Sequence, residues 1–198
     1  MLDAFLGRQG SNSAAALDGV ARVLVRMGLT ADRLTYAGVL LGLVAAVLFY
    51  VQQGWWAFAV LLLSGGLDAV DGRVARLGAG PTPWGGVLDL TFDRVVEAAV
   101  LLGIAVPHPE WHLPALTLAA TWYVNLCVFL AVGAASEKRT DKVIAYPPGL
   151  LERTEALFFA FIAVALPSLA AAAAYLYAVL ELMTAAQRFA YGRRALAR

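Results

Sequence analysis

Charge is scarce in this chain of 198 residues. Asp, Glu, Lys and Arg make up 15% of it and hydrophobic residues 61%, whereas a soluble domain carries roughly 25% charged residues. That shortage excludes an ordinary soluble domain and predicts an integral membrane protein. Cysteine is reduced to one residue, Cys127, inside an apolar run. An intrachain disulfide and a cysteine-based metal site are therefore both excluded. The opening MLDAFLGRQGSNS lacks an early apolar core, so no cleavable signal peptide is expected. No internal repeat stands out, and the one biased tract is alanine-rich, from Ala170 to Ala174. A formal net charge of +1 gives no basic excess, and no nucleic-acid partner is expected.

What is abundant is apolar sequence in lengths that matter. A hydrocarbon core of about 30 Å needs about 20 helical residues. Six segments qualify: 34–51, 55–76, 85–106, 113–134, 152–166 and 169–186. Ahead of them, residues 11–28 place Asp18, Arg22 and Arg26 four apart, with Leu17, Val20, Leu24 and Met27 between. That pattern predicts an amphipathic helix lying in the membrane interface. The expected fold is all-α, one membrane domain over 1–198, with six spans after the interfacial helix. Placing the N-terminus in the cytoplasm puts every Lys and Arg in a cytoplasmic segment or helix end, and none in an outer connection. Both termini are then cytoplasmic, and an inner, plasma-membrane location is expected. Trp55, Trp56 and Trp111 fall at the outer interface as anchors, and His108 and His112 lie on that side.

Carboxylates break the apolar pattern in one place. Asp68, Asp71, Gly72, Ala75 and Arg76 have offsets 0, 3, 4, 7 and 8, one helical face; Gly85, Asp89 and Asp93 have offsets 0, 4 and 8, another. Facing each other, the two would gather four carboxylates beside small residues. So much negative charge at a bilayer edge needs compensation, and hard oxygen ligands suit Mg²⁺, Mn²⁺ or Ca²⁺. Thirteen residues separate Trp55 from Asp68, too few to cross the core at about 1.5 Å per residue. The carboxylates are therefore expected within the inner leaflet, open to lipid and to the cytoplasm. Ion pairing of the aspartates with Arg73, Arg76 and Arg94 is the alternative, but it leaves the glycine spacing unexplained. Glu97 continues the Asp89–Asp93 stripe and is expected to support it.

The composite D-x2-D-G-x2-A-R-x8-G-x3-D-x3-D, from Asp68 to Asp93, resembles the signature of the CDP-alcohol phosphotransferases. These membrane enzymes join a CDP-activated group to an alcohol and release CMP. The resemblance implies a six-helix membrane fold and metal ligands at Asp68, Asp71, Asp89 and Asp93, with Mg²⁺ or Mn²⁺ as cofactor, in two ions. It implies Asp93 as general base, and CDP contacts from Gly72, Ala75 and Arg76, with Thr82 and Gly85 placed nearby. A Pro-Asn or Pro-Asp pair common at the start of the first span reads Ala31-Asp32 here, giving Asp32 as a further CDP contact. A homodimer is also implied.

The expected reaction is transfer of a phosphatidyl group from CDP-diacylglycerol to a polar alcohol. The motif equally allows transfer of a phospho-alcohol from a soluble CDP-alcohol to a lipid hydroxyl. A divalent-cation transporter is the reading from another class; it requires a polar path to the outer face, and Ala98 to Val106 is almost wholly apolar. In the loop SEKRTDKVIAYPPGLLERTE, Lys138, Arg139 and Arg153 suit an anionic acceptor, although inner-loop topology alone also accounts for them. The C-terminal Arg188, Arg193, Arg194 and Arg198 are read as attraction to anionic headgroups.

Overall fold

The computed structural model describes residues 11–78, 80–137 and 154–196, and all regular structure among them is helical. The helices are α1 (Ser11–Arg26), α2 (Ala31–Tyr50), α3 (Gly54–Leu77), α4 (Pro83–Ala105), α5 (His112–Glu137), α6 (Thr154–Ala165) and α7 (Ala170–Leu196). Single 3₁₀ turns at Pro109–Trp111 and Pro167–Leu169 lead into α5 and α7. The chain forms two compact units, residues 1–107 and 108–198.

Local chemistry sets the helix ends in the first unit. Gly28 takes φ +74° after α1, and the Leu29 amide donates to the Leu24 carbonyl over 3.1 Å, the Schellman closure. Thr30 then caps α2, its hydroxyl accepting from the Arg33 amide, with Asp32 in the first turn where the helix dipole favours an anion. Thr82 caps α4, with Pro83 opening the helix where its missing N–H costs nothing.

Close packing fixes α2 between its neighbours. The Ser64 hydroxyl of α3 donates to the Gly38 carbonyl of α2 over 2.7 Å. On the α4 side, Gly42 and Gly103 let backbones approach. A Cβ at 42 would lie 2.6 Å from the Val96 methyls, and one at 103 would overlap the Ala46 carbonyl. Small residues of this kind are how helices approach when lipid supplies no hydrophobic drive.

The amphipathic pattern of α1 resolves into two stripes. Ala21 is buried with Leu34, Val70 and Val74, supported by Leu17, Leu24 and Val25. Asp18 bonds Arg73 of α3 over 2.9 Å. Val20, Val23 and Met27 instead form an exposed apolar stripe, offset 0, 3 and 7.

Helix boundaries follow the expected segments to within a few residues, with one exception: α7 runs past Ala186 to Leu196. The continuation Gln187–Leu196 is polar enough to fall outside an apolar window, yet nothing in it breaks a helix. Among the described residues, three stretches are long and apolar enough to cross a membrane: Ala31–Tyr50, Pro109–Ala135 and Pro167–Leu196.

In the second unit, α5 and α7 pack with α6 around Leu118, Phe159, Ala160 and Tyr177. A polar line crosses this apolar interior. Asn125 of α5 donates through Nδ2 to Glu181 of α7 and accepts at Oδ1 from Arg188 over 2.8 Å. The Arg188 guanidinium also lies 5.0 Å from the Phe129 ring centroid. Arg188, read from sequence as a headgroup contact, is thus partly buried and turned inward.

Candidate metal and nucleotide site

Helical spacing places Asp68 and Asp71 on one face of α3 and Asp89 on α4. Their carboxylates converge: one oxygen from each lies within 4.8 Å of the others. Asp71 is 7% exposed, and Asp68 and Asp89 are partly buried. The Asp71 carboxylate is held by Thr35 of α2, whose hydroxyl donates to Oδ2 over 2.7 Å. That hydroxyl also lies 3.1 Å from the Ala31 carbonyl; with a single proton it favours the charged acceptor.

Three convergent carboxylates are a hard-oxygen donor set, which fits Mg²⁺ or Mn²⁺. Two nearby arginines are engaged elsewhere: Arg73 with Asp18, and Arg94 in a two-pronged pair with Glu97 at 2.8 Å for each bond. Glu97 therefore pairs along its own helix. Asp93, one turn beyond Asp89, is partly buried and is not among the three converging carboxylates. Beside it, Phe92 meets Tyr36 of α2 edge-on, ring centroids 5.3 Å apart.

The residues expected to contact the nucleotide follow along α3, in the turn after it and at the starts of α2 and α4. Arg76 is exposed, and its guanidinium lies back over Gly72, where a Cβ would sit 3.7 Å from Nη1. Ala75 is partly buried on the same helix. The α3–α4 turn is tight: Gly80, at φ +91°, donates to the Ala75 carbonyl over 2.9 Å. Thr82 follows, its hydroxyl accepting from the Gly85 amide over 2.9 Å. A Cβ on Gly85 would lie 3.2 Å from that hydroxyl oxygen and 3.8 Å from Asp32 Oδ1. Asp32 and Thr82 are thereby brought together from two helix N-termini, where anions are favoured.

One family model matches residues 28–187, that of the CDP-alcohol phosphatidyltransferases. The chain belongs to this family. It is accordingly a membrane enzyme that transfers substituted phosphate groups, and the transporter reading falls away. Among its relatives, the archaetidylinositol phosphate synthase of Pyrococcus horikoshii is 33% identical over 173 residues, 87% of this chain and 88% of that protein. The phosphatidylinositol phosphate synthase of Mycolicibacterium smegmatis is 30% identical over 151 residues, 76% of this chain and 68% of that one. The fold of the transferase matches crystal structures of the phosphatidylinositol phosphate synthase of Mycobacterium tuberculosis. The structure with CDP-DAG bound gives a TM-score of 0.75 at 24% identity, covering 92% of this chain and 97% of that one. The structure with manganese and citrate gives 0.74 at 26%, covering 89% and 88%.

Thr35 was not among the residues the sequence singled out, although it stands one turn after Asp32 on the same face of α2. Asn125 was also passed over; a lone amide within an apolar run is the signal that marks it. Lys138, Arg139 and Arg153 lie outside the described residues.

Proposed function

We propose that this transferase moves the phosphatidyl group of CDP-diacylglycerol to a hydroxyl of a phosphorylated polyol, releasing CMP. The observation that carries the reading is the convergence of Asp68, Asp71 and Asp89, braced by Thr35. The relatives named as inositol phosphate synthases support the acceptor class, and the CDP-DAG complex of the M. tuberculosis protein supports the donor.

In the reaction the acceptor oxygen attacks the phosphorus bonded to diacylglycerol. The P–O bond to the CMP phosphate breaks, CMP keeps that oxygen, and the acceptor proton passes to Asp93. Asp68, Asp71, Asp89 and Asp93 would hold the divalent cations, Mg²⁺ or Mn²⁺ and two in number. When bound, these neutralise charge on the phosphate oxygens and on the departing one. Arg76 offers a guanidinium fork to the diphosphate, and Gly72 gives it room to lie along the helix. Thr82, Gly85 and Asp32 line the nucleotide's approach, with the α4 N-terminus favourable to phosphate. Lys138, Arg139 and Arg153 suit the acceptor's phosphate.

Topology follows the same reading. Helices α2 to α7 are read as the six spans, α1 lies in the inner interface with Val20, Val23 and Met27 toward lipid, and both termini are cytoplasmic. The site faces the cytoplasm of the plasma membrane, the enzyme forms one membrane domain, and it acts as a homodimer. The test is CMP release by purified protein with CDP-diacylglycerol and Mg²⁺ or Mn²⁺, across inositol phosphate, glycerol 3-phosphate, inositol and serine, with Asp93→Asn alongside. Release that needs inositol phosphate and is lost in the variant is expected. Equal release with unphosphorylated alcohols refutes the acceptor assignment, and turnover only with a soluble CDP-alcohol and a lipid hydroxyl reverses the direction of transfer.

A further inference from the structure

The second unit carries a cleft of about 710 Å³ that the proposed reaction does not use. It is lined from α5 by Cys127, Val128, Ala131 and Val132, and from α7 by Phe189, Gly192, Arg193 and Leu196. Those positions are offset 0, 1, 4 and 5 on one helix and 0, 3, 4 and 7 on the other, so each set is one face. At the floor the helices touch: a Cβ on Gly192 would come within 2.6 Å of a Val132 methyl. The walls are apolar, with Phe189 and Leu196 exposed, and among the described residues of the lining Arg193 is the single charged one. Arg194 is exposed beside it in the last turn of α7.

We propose that this cleft is a binding site for an anionic phospholipid of the surrounding bilayer, one acyl chain along the apolar wall and its phosphate on Arg193. Three observations converge on that occupant. Both helices are long and apolar enough to span a membrane, and the α7 wall, Phe189 to Leu196, continues past the apolar stretch, so the cleft opens where the bilayer meets its headgroups. Its size falls within the roughly 300–1,000 Å³ of small-molecule sites. Its polarity is that of a lipid: apolar along the length and cationic at one end, in the terminal turn, where headgroup phosphates lie. Arg188 does not compete for this role, because it is turned inward to Asn125. A second copy of the chain fits less well, since an isologous contact centred here sets Arg193 against its own equivalent.

Cys127 is exposed, lines the cleft and is the sole cysteine, which makes it a built-in reporter. The rate of its alkylation by a maleimide would be followed on the full chain in uncharged detergent. Phosphatidylglycerol or phosphatidylcholine would be added at matched mole fractions. Phosphatidylglycerol is expected to protect the thiol at about fivefold lower mole fraction than phosphatidylcholine, the preference one basic residue confers near an anionic lipid. Arg193→Gln should erase that preference, and Ala131→Trp, which fills the cleft, should abolish protection by either lipid. Equal protection by the two lipids in the unaltered protein overturns the proposal, as does a preference that survives Arg193→Gln. Protection that rises with protein concentration in the absence of lipid assigns the cleft to a second copy. Protection by CDP-diacylglycerol but not phosphatidylglycerol assigns it to the donor.

Discussion

Replacing Thr35 by valine removes one hydroxyl and keeps the β-branched shape, so it isolates the bond to Asp71. That bond is short, at 2.7 Å, and its acceptor is a buried carboxylate. A hydrogen bond to a charged group contributes about 1.5–3 kcal/mol. In the enzyme the loss should appear in two places. The metal-free protein loses a donor to Asp71 and should unfold more easily by that amount. Metal use should suffer too, because the carboxylate is no longer held with one oxygen toward Asp68 and Asp89. Removing an outer partner of this kind lowers metal affinity or activity about 10- to 100-fold. The assay is CMP release titrated with Mn²⁺, together with detergent melting curves with and without the ion. Thr35→Val should raise the half-saturating Mn²⁺ concentration within that span, and Thr35→Ser, which keeps the hydroxyl, should restore most of it. Unchanged Mn²⁺ dependence in Thr35→Val refutes the reasoning. Equal damage in the serine variant assigns the effect to the lost methyl group instead.

Three further outcomes are expected. Asp68→Asn and Asp89→Asn should each lower CMP release by at least about a hundredfold through lost charge stabilisation, with melting temperatures near that of the unaltered protein; activity within a few-fold would remove them from the site. Gly103→Ala should destabilise the protein by about 1–3 kcal/mol, because the added methyl meets the Ala46 backbone, which cannot yield. Gly66→Ala, where nothing lies within 4 Å, should instead stabilise by up to about 1 kcal/mol, because alanine favours the helix over glycine, and detergent melting compares the two. Gly85→Ala crowds the Thr82 hydroxyl and approaches Asp32, so it should raise KM for the CDP donor several-fold while leaving the melting temperature nearly unchanged.

How legible the site was in the sequence follows from how local its determinants are. Asp68 and Asp71 are three residues apart, and the helix period alone puts them on one face; the same holds for Asp89 and Asp93. Convergence of the two faces was also foreseeable, because a tight turn ending in a capping Thr-Pro pair brings the helices together. What periodicity cannot supply is the register of packing between distant helices. Thr35 meets Asp71 across 36 positions, and that meeting depends on where Gly38 seats against Ser64 and Gly103 against Ala46. The same limit applies to the three-carboxylate cluster: a common stripe on α4 does not say that Asp89 rather than Asp93 comes nearest to Asp68 and Asp71.

The C-terminal arginines show why charge alone does not fix a role, and they lead to the sharpest stability test. Arg188, Arg193 and Arg194 read alike in sequence, yet Arg193 and Arg194 are exposed while Arg188 is partly buried and bonded to Asn125. Glu181, at 6% exposure, explains the difference. A carboxylate inside an apolar bundle is costly unless charge and hydrogen bonds meet it. Asn125 is suited to the task because its amide presents a donor to Glu181 and an acceptor to Arg188 at once. Asn125→Leu conserves bulk but removes a bond from each charged partner. At about 1.5–3 kcal/mol for each such bond, the loss should be about 3 kcal/mol or more, read as a large drop in melting temperature in detergent. Glu181→Gln should cost less, since its amide oxygen still accepts from Asn125 and no buried carboxylate remains. If Asn125→Leu melts with the unaltered protein, or Glu181→Gln is the more damaging, the polar line does not hold α5 to α7, and their packing rests on the apolar contacts alone.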